Sequence, residues 1–124
     1  MANSKEFLAH VLEMMQPAGR ASARAMFGGH GVYLDGLIVG IVDDDVLYLK
    51  TDAETRATFV AQELEPFRYT TRTGEVHVTS YYRPPDEALE RSAAMHEWLR
   101  LALSAALRSA NRKKPKAPPR KRGR

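Results

Sequence analysis

Hydrophobic positions at Phe7, Leu8, Val11, Leu12 and Met15 recur at the three- and four-residue spacing of one helical face. Asn3 and Glu6 stand like a capping box, and Pro17 and Gly19 close the segment, so the pattern predicts an amphipathic helix over 3–16. The period then shortens to that of strands. The runs "SARAMFGGHGVYL", "LIVGIV" and "VLYLK" are separated first by Asp35-Gly36 and then by Asp43 to Asp45. An Asp-Gly pair accepts the positive φ of a type I′ turn, and the three aspartates suit a second, longer turn, which predicts three antiparallel strands in a meander. Residues 52–62 begin on a capping aspartate and read as a short second helix. "FRYTT" and "VHVTSYY", joined by "RTGE", predict a second hairpin ended by Pro84 and Pro85. From Asp86 to about residue 110 an Ala- and Leu-rich helix follows, with Glu87 and Glu90 near its start and Arg108 near its end. The order α-β-β-β-α-β-β-α is that of a two-layer α+β domain with one antiparallel sheet.

Strand alternation assigns the faces. Val32 and Leu34, Val39 and Ile41, Leu47 and Leu49, and Val76 and Val78 fall on one face, expected under the helices. The opposite face carries Tyr33, Ile38, Val42, Tyr48, His77 and Tyr81, which is not the polar surface of a sheet wetted on one side. The last helix has a stripe of Met95, Leu99, Ala102, Leu103 and Ala106, with Trp98, Leu101 and Ala105 beside it, wider than one core contact requires. Either the helices wrap further than the pattern implies, or a second copy covers the surplus. On the second reading the candidate dimer interface is Tyr33, Ile38, Val42, Tyr48, Tyr81, Trp98 and Leu101.

Charge sharpens the organisation. The chain of 124 residues carries a net +4, but eight of its 19 basic side chains stand from Arg112 onward with no acidic neighbour. The remaining eleven face all 15 acidic residues, so residues 1–111 are net negative and a nucleic-acid footprint spread over the folded surface is not expected. The division expected is a folded unit over 1–110 and a disordered basic tail over 111–124. Arg112, Lys113, Lys114, Lys116, Arg120, Lys121, Arg122 and Arg124 are the candidate nucleic-acid contacts, able to neutralise phosphates without reading sequence. The same run also suits a solubilising end. The absence of cysteine excludes disulfides and thiolate chemistry, and no secretion signal or membrane-length apolar run is read, so a soluble cytoplasmic protein is expected.

Catalytic constellations are weak. Gly28, Gly29 and Gly31 lack the Lys-Ser/Thr of a phosphate loop, Leu34 stands where a dinucleotide motif needs a third glycine, and no helix follows. A bulged or closely approached strand is the expectation there. Among His10, His30, His77 and His96 no two have the spacing of a helical metal pair; His30 and His77 fall on strands, where a meeting in space is the remaining route to a metal. Asp43, Asp44 and Asp45 lack the spaced ligands of a calcium loop, and no G-x-S-x-G elbow occurs. No enzyme activity, cofactor or metal is expected.

The run "MFGGHGVYLDGLIVGIVDDDVLYLKTD", then "EPFRY", then "TSYYRPPDEALE" ahead of the Trp98 helix resembles the N-terminal domain of the TfoX family, named for a bacterial regulator of natural competence. The resemblance covers about residues 3–110. It implies a two-layer α+β fold with one antiparallel sheet, of the kind seen in secretion chaperones, and often a dimer. It supplies no catalytic residues. Full-length competence regulators join this domain to a helical C-terminal domain, where the present chain has its basic tail. The resulting expectation is a non-enzymatic bacterial regulatory or protein-interaction domain acting as a homodimer. The alternative is a nucleic-acid-associated accessory protein that binds DNA or RNA nonspecifically through the tail.

Overall fold

The computed structural model describes residues 4–26 and 28–113. Ser4, one residue later than the expected capping box, starts the first helix, α1 (Lys5–Met15): its side chain accepts the Phe7 N–H at 3.1 Å, satisfying one of the free donors of the first turn. Val11 and Met15 on α1 are fully buried, and Phe7, Leu8 and Leu12 pack beside them. A 3-10 turn through Pro17 ends the segment.

The expected fold class is found, α+β with one open antiparallel sheet, and the meander holds one strand more than its pattern suggests. The strands are β1 (Ala21–Met26), β2 (Gly29–Leu34), β3 (Leu37–Asp43), β4 (Val46–Lys50), β5 (Pro66–Thr70) and β6 (Val76–Tyr82), in sheet order β1-β2-β3-β4-β6-β5. The run read as one strand is divided between Met26 and Gly29, which pair with each other, and Gly28 holds a φ of +82° there. β1 leaves little mark in the hydrophobic pattern, because its Ala, Ser and Arg residues alternate without large apolar side chains, as suits an edge strand. The glycine run is therefore the corner of a hairpin. Gly29 allows a close approach: a Cβ there would stand 2.6 Å from the Val42 carbonyl oxygen.

Asp35 and Gly36 form the anticipated turn, both at positive φ. The aspartate turn is tighter than expected. Asp43 pairs directly with Val46, leaving only Asp44 and Asp45, both left-handed, to reverse the chain.

A β-bulge decides the faces. Val32 pairs with Gly40 but Tyr33 pairs with Ile38, so Val39 is the extra residue on β3. Past the bulge the alternation inverts: Val42, assigned to the outer face, is fully buried in the core, and Ile41, assigned to the core, lies on the outer face. The core face carries Val32, Leu34, Val39, Val42, Leu47 and Leu49. Onto it pack α2 (Arg56–Ala61), through fully buried Phe59, and α3 (Ser92–Lys113), through Met95, Leu99, Ala102 and Ala106. α3 begins later than Asp86, because residues 86–89 form a separate 3-10 turn. Trp98 packs edge-on against Phe59 at 4.8 Å between ring centroids. Val76 and Val78 do not reach the core. β6 joins β4 only near Tyr82, and beyond that the β5–β6 hairpin projects past the helices, leaving both valines about 60% exposed.

Candidate functional site

The outer face of the sheet is concave. A single cavity of about 710 Å³ is lined by Met26 of β1, Ile38, Ile41 and Asp43 of β3, Phe67, Arg68, Tyr69 and Thr70 of β5, and Thr79 and Tyr81 of β6. One hollow can touch both edge strands only if the twisted sheet curls toward this face. Rings form a ladder along one wall: Tyr48 to Phe67 at 5.1 Å, Phe67 to Tyr69 at 6.4 Å, and Tyr69 to His77 at 5.2 Å. Tyr81 carries the Lys50 ammonium 5.3 Å from its ring centroid, and Tyr33 carries the Arg24 guanidinium at 5.4 Å. Burial pushes the Tyr48 and Tyr81 hydroxyls above their ordinary pKa, so both remain neutral donors. Arg68 is paired with Glu65 at 3.0 Å, whereas the Asp43 carboxylate makes no ion pair among the described residues.

Of the candidate interface residues, Ile38 and Tyr81 line this trough, Tyr48 stands on its aromatic ladder, and Tyr33 lies opposite Ile38. Val42 and Trp98 are corrected: both are core residues, the first because of the bulge, the second because α2 gives its indole an internal partner in Phe59. Leu101 is half-buried on α3 and packs against the core, away from the trough. Sequence reasoning missed Met26, Ile41, Phe67 and Tyr69. The alternation of Phe67 and Tyr69 on one strand face was the available signal.

A second hollow, of about 320 Å³, opens where α3 ends. Lys50, Arg56 and Arg112 surround it with Ser80 and Ser109. Asp52 also lines it and holds Arg108 through two hydrogen bonds, from Nε at 2.7 Å and Nη2 at 3.0 Å, while accepting the backbone N–H groups of Glu54 and Thr55. The Arg108 guanidinium, with those amides, holds the Asp52 carboxyl far below the usual carboxylate range. Arg112 is the one tail cation whose side chain is described; Lys113 ends α3, and Lys114, Lys116, Arg120, Lys121, Arg122 and Arg124 lie outside the described residues.

The histidines fall apart as ligands. His10 contacts the Leu89 carbonyl at 2.7 Å, His77 stands 3.4 Å from Glu75, and His30 lies on β2 opposite Val42. Among the described residues no group of three His, Asp or Glu side chains is placed to hold a metal. No helix among them is long and apolar enough to cross a membrane.

A curled antiparallel sheet with helices on one face and an aromatic trough on the other defines a small α+β domain. The model of the TfoX N-terminal domain matches residues 13–106, and the chain belongs to that family. It is not a known enzyme family. Among curated proteins none matches the chain.

Proposed function

We propose that the chain is a regulatory protein-interaction domain of the bacterial cytoplasm, acting by contact rather than catalysis, and that a second copy of itself covers the outer face of the sheet. The observation that carries this reading is the aromatic trough: a concave apolar surface on the face the helices leave open. Its rings bring large contact area at low conformational cost, as interface centres do. Light scattering tests it. The full chain at tens of micromolar is expected at twice its 13.9 kDa mass, and Ile41→Glu, which places a charge in the trough, at the monomer mass. A wild-type monomer under those conditions overturns self-association.

A second reading has its own support. Lys50 and Arg56 extend the basic character of Arg112 onto the folded surface, giving the tail cations a continuation toward β4 and α2. On this reading the protein binds nucleic acid nonspecifically. Each phosphate contact steepens the fall of log K with log salt by about 0.9 on duplex DNA. Anisotropy of labelled duplex DNA and of RNA, read at low and moderate salt, is expected to show a shallower slope for Lys50→Ala/Arg56→Ala. An unchanged slope removes the folded surface from the interaction.

A further inference from the structure

The sequence beyond the described residues contains Pro115-Lys116-Ala117-Pro118-Pro119-Arg120, a P-x-x-P-x-R spacing. Proline-rich segments of this kind favour the polyproline II conformation and dock in aromatic-lined grooves. The trough offers that chemistry: Phe67, Tyr69 and Tyr81 supply rings, and Asp43 supplies a carboxylate without an ion pair among the described residues. We propose that the trough is the docking site of this chain's own C-terminal segment, with Pro115 and Pro118 against the aromatic wall and Arg120 toward Asp43. The inference rests on reading the trough as an interaction surface, and it assigns that surface a built-in competitor.

The path is short. α3 ends at Lys113, and its last turns share a hollow with Lys50 and Ser80. The Lys50 ammonium in turn sits over Tyr81, which lines the trough, so the end of α3 is one side chain removed from the trough's margin. Pro115 follows Lys113 by two residues and Arg120 follows it by seven, so at about 3.1 Å each the docking residues reach roughly 6 to 22 Å beyond α3. β3, which carries Asp43, stands two strand spacings of about 4.8 Å from β6, roughly 10 Å across the sheet, within the reach of Arg120. Charge agrees with reach: the body is net negative and the segment carries cations alone. A segment bound within its own chain occupies the trough at high effective concentration, and a second copy must displace it.

Because the chain has no cysteine, Ala117→Cys gives one attachment point for a nitroxide on the otherwise intact protein. Amides of Ile41, Thr70, Thr79 and Tyr81 are expected to lose most of their NMR intensity, while that of Glu13 on α1 keeps it. Adding Pro115→Ser, Pro118→Ser and Asp43→Asn is expected to restore the lost intensity. Uniform broadening or none overturns the docking. Broadening of the same amides when spin-labelled, isotope-free chain is mixed with unmodified isotope-labelled chain also overturns it, in favour of a tail exchanged between copies. The self-association reading fails separately: a dimer without broadening loses the tail and keeps that reading, and broadening in a monomer does the reverse. Where both hold with the tail bound in nine molecules of ten, both partners must release a tail, and Pro115→Ser/Pro118→Ser is expected to tighten the dimer about a hundredfold.

Discussion

Asp52 joins three elements with one carboxylate. It follows β4, accepts the N–H groups of Glu54 and Thr55 that lead into α2, and grips Arg108 on α3 with both oxygens. Its folded pKa is depressed below the unfolded value near 3.9, so its contribution is complete above that value and is lost as pH falls toward the folded one. Asp52→Asn is therefore expected to cost about 1 to 2 kcal/mol at pH 7, a range typical of charge-assisted bonds that are partly solvated. The gap between wild type and variant should be constant from neutral pH down to about 5, then narrow below about 4. Urea denaturation across that range measures it, and a gap that widens on acidification refutes the assignment. Gly29 is a different kind of residue, one defined by what it lacks. A Cβ there meets the Val42 carbonyl oxygen at 2.6 Å, so Gly29→Ala must separate β2 from β3 and is expected to cost about 1 to 3 kcal/mol in the same denaturation measurement.

β3 shows why strands were legible and their faces were not. Its apolar run and its bounding turns are local facts, and the Asp35-Gly36 reversal follows from the two residues alone. A bulge depends on how two strands meet: the Val39 insertion is set by Val32 facing Gly40 while Tyr33 faces Ile38, and period-two reading carries no sign of it. The swap of Ile41 and Val42 follows from that one residue. Val42→Ala is expected to cost about 2 to 3 kcal/mol and Ile41→Ala less than about 1, the reverse of what unbroken alternation predicts. Equal losses in chemical denaturation would mean that both side chains share the core. The trough was half-legible for the same reason. Ile38, Tyr48 and Tyr81 stood out as apolar residues on the wrong face, whereas Met26 and Phe67 enter it only because the sheet curls and brings its edges round. Trp98 was misplaced because a wide apolar helix face looks the same whether a partner or α2 covers it.

Over the whole molecule, order is graded from the helix-covered meander to the projecting hairpin. β2, β3 and β4 carry Val32, Val39, Val42, Leu47 and Leu49 in the buried core, with α3 packed on β3 and β4. The β5–β6 hairpin is tied to β4 through Leu49–Tyr82 and Lys50–Tyr81 and leaves Val76 and Val78 exposed on one side and Tyr69 half-exposed on the other. Segments with few buried apolar contacts open locally at a fraction of the global unfolding free energy. Hydrogen exchange of the full chain is therefore expected to be faster for residues 68–78 than for any part of β3, and hairpin amides as slow as those of β3 contradict this. The same experiment separates the two occupants of the trough. A second copy protects the hairpin by mass action, so its exchange must slow as protein concentration rises through the dimer dissociation constant. The chain's own tail protects it equally at every concentration, and that protection must weaken with salt, since Arg120 meeting Asp43 at a solvent-facing rim is a screened contact.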